Sequence, residues 1–563
     1  MEKKEAWPTF SSNALAPVAQ VSPKLLVKHG RERIDPYYWL RDKEAPEVLA
    51  YLEAENEYTD QVMAPTESLQ QKLVSEMRGR ILEKDSTAPY RHGAFFYYDR
   101  YEDGQEYPVY CRADESQTEQ VLLDINRLAE DHDYFDVGGF EVSPNHRYAA
   151  FAFDTTGRRI FELAVLDLES KLFTQHKIEG IASCFAWAND SDTLFYVKQD
   201  ELTLRWHQIH RYRMSDRSSE LVYEESDETY EVGLDVSLSE RFIYVQSQST
   251  LTSEVRVIPA DGPDDEPFVF LSRQTGHEYY VTDGDDRFFV LTNHQAENFR
   301  LMEVPLHNTG MDHWRELVPH RVEVLLEDVE VFEKYFVLTE KEQGRSQMRV
   351  FERASMKSHL IPFSETVFSA ECGDNFEYAA EVVRIDFESM TTPETVFDYD
   401  MGQGHMGQGN LSLVKQDVVL GGYDPEDYAS EYIYATATDG TRIPVSVVYR
   451  KSCRQEGGNP TLQYGYGAYG IPMEAEFDSN LLSLLDRGIV FAVAHVRGGA
   501  DLGRSWYYEG RQLKKKNTFS DFIACSEYLV ESGITAKGQL YASGGSAGGL
   551  LIGAVVNMAP ELY

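Results

Sequence analysis

The chain has 563 residues, of which 42 % are apolar and 12 % aromatic, so it can bury several hydrophobic cores and is not a disordered polymer. Its 94 acidic and 53 basic residues give a formal net charge of −41. This charge argues against nucleic acid and against an anionic membrane surface as partners, because both are bound through clustered Lys and Arg. No stretch approaches the roughly 20 apolar residues of a membrane span.

The cysteines and the N-terminus predict a cytoplasmic location. The five Cys residues are far apart and form no CxxC pair, which favours reduced thiols over a disulfide framework or a zinc site. We expect no metal and no cofactor. The first residues, up to Pro8, lack the basic start and apolar run of a secretory signal.

Two helices are predicted near the N-terminus. Pro46 suits the first turn of a helix, and Val48, Leu49 and Leu52 recur at helical spacing, which predicts a helix over 46–62. A second helix is predicted over 69–81. We assign residues 1–76 to an N-terminal segment that packs with the last domain of the chain.

Between about residues 90 and 415, short runs of aromatic and β-branched residues alternate with turn residues, which is typical of many short antiparallel strands. A turn followed by such a strand recurs seven times, and its spacing of roughly 42 to 53 residues matches one propeller blade. The equivalent positions are Phe96, Ala149, Phe195, Ile243, Phe289, Phe336 and Tyr378. The spacing predicts a seven-bladed β-propeller over residues 77–420, with an array of two-sheet sandwiches as the alternative. The Gly-rich stretch 401–410 is expected to be a surface loop.

Beyond about residue 425 the pattern changes. Apolar strands near 443–449 and 489–496 alternate with helical stretches such as 521–531, which indicates a parallel sheet with crossover helices. We assign residues 421–563 to this α/β domain.

A strand, a Gly-rich turn and an apolar helix meet near the end of the chain. Gly544, Ser546 and Gly548 form the pattern G-x-S-x-G in the strand–turn–helix setting that a nucleophile elbow needs. Only small neighbours let strand and helix approach closely enough to project the hydroxyl of Ser546. A phosphate-binding loop is the rival interpretation, but the segment lacks its Lys. Ser543 lies outside the centre of the pattern and is expected to be structural.

Several motifs in order resemble the prolyl oligopeptidase family of serine peptidases and, within it, the oligopeptidase B branch. The motifs are DPYYWLRD (35–42), YLEAEN (51–56), YGYGAYG (464–470), LLDRG (484–488), HVRGG (495–499), KNTFSDF (516–522) and GGSAGG (544–549). The resemblance implies an α/β-hydrolase domain combined with the propeller, which caps the active site and excludes folded proteins. It also implies a serine endopeptidase that cleaves short peptides after Arg or Lys.

The resemblance implies a role for each matching residue. Ser546 corresponds to the nucleophile, and the hydroxyl of Tyr466 with the backbone N–H of Ala547 corresponds to the oxyanion hole. Tyr469 falls among the substrate-binding residues, although packing beneath the elbow is an alternative for these tyrosines. Arg497 is expected to hold structure.

Glu474 and Glu476 correspond to an acidic pair that holds a second basic side chain of the substrate. Two carboxylates separated by one residue can engage a guanidinium. The family has Asp at this place, so the reach of the longer Glu side chains differs. A solvated acidic surface is the alternative.

The catalytic base and acid are not evident in the sequence. An α/β-hydrolase orders its triad as nucleophile, acid and base, but no His or Asp follows Ser546. The last histidine, His495, precedes the elbow, and the fold order argues against its being the base. We therefore expect the chain to be the front part of a longer peptidase, C-terminally incomplete and inactive alone.

The expected partners are short cationic peptides, with the protein a monomer or weak dimer. Two other functions stay open. One is another propeller-capped peptidase, specific for prolyl or acylaminoacyl substrates. The other is a non-catalytic module that binds peptides.

Overall fold

The computed structural model describes residues 14–404 and 411–563. Two predictions fall on residues outside this part. One concerns the residues before 14, which are predicted to lack a secretory signal, and the other concerns most of the predicted surface loop at 401–410. The chain divides into two compact units, Met1–Ile81 and Leu82–Tyr563.

The first unit contains one β-hairpin and two helices. The hairpin turns through His29 and Gly30, whose φ angles of 54° and 72° suit a two-residue turn with both residues in the left-handed region. The helices predicted over 46–62 and 69–81 are confirmed, with ends displaced by a few residues. The elements are β1 (Lys24–Lys28), β2 (Arg31–Asp35), α1 (Pro46–Met63) and α2 (Glu67–Arg78), with 3-10 turns at Tyr38–Arg41 and Ala64–Thr66.

The larger unit begins with a β-propeller built from antiparallel strands. Its strands are β3 (Tyr90–His92), β4 (Phe95–Arg100), β5 (Val109–Ala113), β6 (Glu119–Asp124), β7 (Asp136–Val142), β8 (Tyr148–Asp154), β9 (Phe161–Asp167), β10 (Leu172–Trp187), β11 (Thr193–Gln199), β12 (Trp206–Arg213), β13 (Ser219–Glu224), β14 (Glu231–Val236), β15 (Phe242–Gln248), β16 (Ser253–Pro259) and β17 (Phe268–Val269). They continue with β18 (Tyr279–Gly284), β19 (Arg287–Thr292), β20 (Arg300–Pro305), β21 (Arg315–Val318), β22 (Val324–Val331), β23 (Tyr335–Glu342), β24 (Arg345–Glu352), β25 (Ser358–Leu360), β26 (Ser369–Cys372), β27 (Val382–Ser389), β28 (Thr392–Asp400) and β29 (Leu411–Gln416). Two short helices, α3 (Ile125–Ala129) and α4 (Met401–Gly404), interrupt them.

The prediction of a seven-bladed propeller is wrong. Five four-stranded sheets form separate blades, namely β3–β6, β14–β17, β18–β21, β22–β25 and β26–β29. Strands β7–β13 form one seven-stranded sheet instead, because β10 runs through 16 residues and pairs with β9 along 172–181 and with β11 along 181–187. The repeats at Ala149 and Phe195 therefore lie in a single sheet. The number of sequence repeats gives the number of turn-and-strand units. It does not give the number of blades, because it does not show where one sheet ends and the next begins.

The repeated turn has the same backbone geometry in several places. His146, Ser191 and Glu240 each precede the second strand of a repeat and have φ angles of 56° to 57°. Each donates its backbone N–H to the carbonyl three residues earlier, at 2.7 to 3.1 Å. Because this region of φ is uncommon for residues other than Gly, the shared geometry shows that the repeat found in the sequence is structural.

Side chains join the first blade to the last. The first sheet holds only β3–β6 and the last only β26–β29, so the two share no strand. The rings of Tyr90 and Phe376 stack with centroids 4.6 Å apart, and Arg384 donates to the carbonyl of Pro89 at 2.5 Å. The closure of the ring therefore rests on stacking and hydrogen bonds.

The α/β part of the larger unit follows. Its sheet has the order β30-β31-β33-β32-β34, in which β33, β32 and β34 are parallel and the first three strands antiparallel. Val445 and Ala492 of the sheet and Phe522 and Leu551 of two helices share one buried core. The elements are β30 (Tyr428–Thr436), β31 (Arg442–Arg450), β32 (Thr461–Tyr464), β33 (Val490–Ala494), β34 (Leu540–Ser543), α5 (Leu482–Leu485), α6 (Arg504–Tyr508), α7 (Lys516–Glu531) and α8 (Ala547–Met558).

No helix in 14–404 or 411–563 is long and apolar enough to cross a bilayer. The five cysteines are free thiols.

Candidate functional site

Two neighbouring parallel strands deliver the site residues to one edge of the sheet. β32 pairs with β34 so that Tyr464 faces Ser543, and the N–H of Gly465 donates to the carbonyl of Ser543 at 3.2 Å. Because the two strands are parallel, the segments that follow them leave the sheet at the same edge. The loop after β32 carries Tyr466, and the turn after β34 carries Ser546.

Ser546 lies in a strained turn immediately before α8. Its φ of 53° and ψ of −118° are an unusual conformation for a residue with a side chain, and such strain costs on the order of 1–3 kcal/mol. The residue is exposed, and no hydrogen bond to its hydroxyl occurs in the described residues. The hydroxyl is therefore presented to solvent at the edge of the sheet.

Glycines make this turn possible. A Cβ at position 544 would lie 2.8 Å from the carbonyl oxygens of Gly465 and Gly548, and a Cβ at 548 would lie 2.7 Å from that of Gly465. Any larger residue at either place would push α8 away from the loop after β32. The glycines of the sequence motif thus act as the elbow requires.

Tyr466 and Ala547 lie beside Ser546. Ala547 is the first residue of α8, a 12-residue helix whose N-terminal N–H groups and dipole favour negative charge. The half-buried Tyr466 packs on Gly548, where an added Cβ would lie 3.6 Å from its ring. The structure brings a tyrosine and a helix N-terminus together around the serine, which is an arrangement that can stabilise an oxyanion.

Tyr469 lines a cavity next to this edge. Its side chain is 67 % exposed, and its ring centroid lies 6.4 Å from that of Tyr466. The cavity, of about 910 Å³, lies between this loop and propeller residues that include Trp206, Glu228 and Glu231. Tyr469 therefore faces open space and does not pack beneath the elbow.

The two glutamates predicted to bind substrate have different surroundings. Glu474 forms an ion pair with Lys341 of β23. Glu476 is exposed and lies near Glu388 of β27, whose pKa is raised by burial and further by the charge of Glu476. Among the described residues no cation contacts Glu388 or Glu476. Of the two predicted carboxylates, Glu474 is therefore paired within the protein, whereas Glu476 is exposed.

His495 is committed to a buried network away from the elbow. Its Nδ1 is 2.8 Å from Asp501 Oδ1, its Nε2 is 2.7 Å from Ser446 Oγ, and the residue is 3 % exposed. Asp501 also accepts the N–H of Met473 at 3.0 Å. Because both ring nitrogens are occupied, His495 is not placed to take a proton from Ser546.

Arg497 holds structure, as expected. Its guanidinium makes two hydrogen bonds to Asp521 of α7, at 2.6 and 2.8 Å, and one to Asp439 at 2.8 Å. Hydrogen bonds from Thr441 and Arg497 lower the pKa of Asp439 to about 2. The arginine ties the end of β33 to α7 and to the turn between β30 and β31.

Two residues at the junction of propeller and α/β part were missed from the sequence. Lys341 binds Glu474, and Arg504 pairs with Glu278 of the propeller. Lys341 stands in the polar run 339–343 at the end of its strand, so no local feature of the sequence indicates its burial or its partner. Among the described residues no cluster suits a metal ion.

Known proteins resemble the whole of this arrangement. The model of the prolyl oligopeptidase N-terminal β-propeller domain matches residues 17–408, and that of the prolyl oligopeptidase family matches 475–563. Dipeptidyl aminopeptidase BI of Pseudoxanthomonas mexicana is 39 % identical over 98 % of this chain and 79 % of its own length. Protease 2 of Moraxella lacunata is 33 % identical over 97 % and 79 %.

Solved structures agree with these relatives. Oligopeptidase B from Leishmania major superposes with a TM-score of 0.90 at 31 % identity, covering 98 % of this chain and 81 % of its own. Oligopeptidase B from Trypanosoma brucei, in a closed form with covalently bound antipain, gives a TM-score of 0.90 at 32 % identity with the same coverage. By sequence and by fold, the chain belongs to the prolyl oligopeptidase family of serine peptidases and is close to oligopeptidase B.

Proposed function

We propose that this peptidase cleaves short peptides after Arg or Lys, with Ser546 as the nucleophile. The observation that carries the proposal is the exposed Ser546 in a strained turn at the start of α8, beside Tyr466. The Ser546 Oγ attacks the scissile carbonyl carbon while a base takes its proton. The C–N bond then breaks, so that the amine leaves with that proton and the acyl group stays on Oγ as an ester. Water hydrolyses the ester, which releases the acid and restores the serine hydroxyl. Tyr466 and the N–H of Ala547 donate to the carbonyl oxygen as it becomes negative.

The attack needs a base that takes the Oγ proton. His495 does not supply it, because its two nitrogens already bind Asp501 and Ser446. The proposal therefore assigns the base to another group.

Acidic side chains around the site support a cationic substrate. Glu228 and Glu231 line the cavity that Tyr469 faces, and Glu476 lies near Glu388 with no cation in contact in the described part of the chain. A basic side chain held by such a carboxylate gains about 1.5–3 kcal/mol. An acidic cavity also raises the local concentration of cationic peptides.

Substitution of the serine tests the nucleophile. We expect Ser546→Ala to lower turnover of an Arg-amide peptide by at least about 10⁴-fold, because the other groups of such a site give only a residual rate. Ser543→Ala, three residues earlier, is the matched control and should keep its rate within about threefold. Hydrolysis by Ser546→Ala at the unmodified rate would remove Ser546 from the mechanism.

A second candidate is the removal of N-terminal dipeptides. It is favoured by the 39 % identity to a protein named dipeptidyl aminopeptidase BI. An Arg-containing peptide amide with a free N-terminus and the same peptide with an acetylated N-terminus separate the two. Cleavage of both supports the endopeptidase, and cleavage of the free form alone supports the aminopeptidase. Peptides with Pro at the cleaved position test the prolyl alternative.

A further inference from the structure

The loop after β32 carries a buried carbonyl group at Gly467, directly after Tyr466. Gly467 is buried and has a φ of 66°. A Cβ at this position would lie 2.4 Å from Cγ2 of Thr518 on α7 and 2.7 Å from Cγ2 of Val496. A Cβ at Gly498 would lie only 2.0 Å from the carbonyl oxygen of Gly467. The loop is therefore packed against α7 and against the segment that follows β33.

Lys515, the residue before α7, supplies the hydrogen bond that this carbonyl needs. Its ammonium donates to the carbonyl oxygen of Gly467. No other donor to that oxygen occurs in residues 14–404 and 411–563. A buried carbonyl without a partner costs about as much free energy as a lost hydrogen bond. The lysine therefore holds the loop at the residue after Tyr466.

An ion pair does not explain why a lysine stands at this position. Lys515 is partly buried, and burial lowers its pKa. In the part of the chain that the structure describes, no carboxylate pairs with Lys515, whereas the neighbouring Lys514 pairs with Glu509. Removal of a charge from water is costly when no counter-charge compensates it. The hydrogen bond to Gly467 is the contact that offsets this cost.

The start of α7 does not explain the lysine either. Lys515 is the N-cap of this 16-residue helix, its side chain makes no cap hydrogen bond, and the first turn contains no acidic residue. Ser, Thr, Asp and Asn are favoured at an N-cap, and a cation near a helix N-terminus opposes the helix dipole. Local preference therefore disfavours lysine at this position. Such conflicts with local preference are expected at functional sites.

Backbone contacts on both sides of Tyr466 fix its place in the loop. Before it, the N–H of Gly465 donates to the carbonyl of Ser543 at 3.2 Å. After it, the carbonyl of Gly467 accepts from Lys515. The hydroxyl of Tyr466 makes no hydrogen bond within the described residues. The position of this hydroxyl therefore depends on the packing of the ring and on the two backbone contacts.

We propose that Lys515 is a positioning residue for the reaction, which holds the carbonyl of Gly467 and so keeps the hydroxyl of Tyr466 beside Ser546. The inference rests on the proposed function, which makes Tyr466 a donor to the oxyanion. Such a donor is effective only when it is held where the charge develops, and a misplacement of about 1 Å can cost about 100-fold in rate. Lys515 acts through the tyrosine and not by contact with the substrate.

Steady-state kinetics with an Arg-amide peptide test this role. We expect Lys515→Met to lower kcat about 10- to 100-fold and to change KM less than about threefold, because the oxyanion contact forms in the transition state. Lys515→Arg, which keeps a charged donor, should restore kcat to within about threefold of the unmodified protein. Lys516→Met, which removes an exposed lysine at the next position, is the matched control and should keep its rate.

A double-mutant cycle separates positioning from a general structural role. Tyr466→Phe removes the hydroxyl and should lower kcat about 10²- to 10³-fold. In that background, Lys515→Met should lower kcat further by less than about threefold, because the group that the lysine positions is already absent. A lysine that only stabilised the fold would lower kcat by the same factor in both backgrounds.

A fluorine label reports the position of the tyrosine without any turnover. Fluorotyrosine placed at residue 466 alone should give one narrow fluorine NMR line in the unmodified protein, in Lys515→Arg and in Lys516→Met. Lys515→Met should shift or broaden this line, because the loop then samples more than one position. Thermal unfolding shows whether each variant is folded. If Lys515→Met does not fold, Lys515→Gln, which also removes the charge, takes its place with the same expected results.

The outcomes are distinct. If Lys515→Met leaves kcat or the fluorine line unchanged, or lowers kcat equally with and without the Tyr466 hydroxyl, the inference fails while the proposed function stands. If Tyr466→Phe keeps the full rate, the tyrosine is not the oxyanion donor and the inference fails with that assignment, whereas Ser546→Ala still decides the nucleophile. An unmodified protein that does not hydrolyse the peptide contradicts the proposed function, and the fluorine line alone then decides whether Lys515 holds the tyrosine.

Discussion

Gly548 and Gly549 are adjacent in α8 but differ in what surrounds them. A Cβ at 548 would lie 2.7 Å from a backbone oxygen, whereas a Cβ at 549 meets nothing within 4 Å. Backbone atoms cannot move aside as a flexible side chain can, so an added Cβ is tolerated at 549 and not at 548. Substitution of Gly549 is therefore a matched control for substitution of Gly548. The reason for Gly548 is steric and not conformational.

We therefore predict opposite effects of the same substitution at these positions. Gly548→Ala should lower the free energy of unfolding by about 1–3 kcal/mol, because of overpacking against Gly465. Gly549→Ala should be neutral or raise it by about 0.5–1 kcal/mol, since Ala favours a helix interior. Urea denaturation of the two variants gives both values. Equal destabilisation would show that the approach to Gly465 is not what requires glycine.

At the scale of elements, Arg497 connects three pieces of the α/β part. It joins the end of β33 to Asp521 of α7 and to Asp439 in the turn between β30 and β31. The sequence showed only that Arg497 stands after an apolar strand. Its partners lie 58 residues before and 24 residues after it, so the chain had to fold before they could be identified.

The lowered pKa of Asp439 predicts a pH-dependent contribution to stability. Its pKa is about 2 in the folded protein and 3.8 ordinarily, so the unfolded state binds its proton first as pH falls. The stabilisation is complete above about pH 4 and disappears as pH falls through about 2. We expect Asp439→Asn to lower the urea midpoint at pH 6 and to differ less from the unmodified protein near pH 2.5. Curves that stay equally far apart at both pH values would contradict this.

At the scale of the whole molecule, ion pairs between residues far apart in sequence connect the propeller with the α/β part. Glu278 is 5 % exposed and pairs with the guanidinium of Arg504. The backbone N–H of Arg504 also donates to Oδ1 of Asn298, a propeller residue, at 2.8 Å. Removal of one partner from a buried pair leaves an uncompensated charge. This contact should therefore contribute to holding the two parts together.

Glu278→Gln should lower the free energy of unfolding by about 3–5 kcal/mol. Glu381→Gln, which breaks the exposed pair with Lys334, is the matched control and should cost at most about 1 kcal/mol. Denaturation measures both, and hydrogen exchange should rise in the segment around Arg504 for Glu278→Gln alone. A similar loss in both variants would mean that burial of the pair is unimportant.

The sequence alone determined the features that depend on short-range geometry. The elbow at Ser546 could be predicted because strand, small residues and helix lie within about twenty positions and the steric demand acts between neighbours. The helices α1 and α2 and the repeated turn of the propeller could be predicted for the same reason. Each is a pattern of adjacent residues that reports local backbone preference.

Only the tertiary structure decided what lies across the chain. The count of blades depends on how β10 pairs with strands on both sides, and the strand pattern does not state where a sheet ends. The roles of Glu474 and His495 depend on Lys341, which is 133 residues away, and on Asp501 and Ser446. The sequence does not distinguish a carboxylate or an imidazole that faces substrate from one that contacts a buried partner. The role of such a group depends on which distant residue folding places beside it.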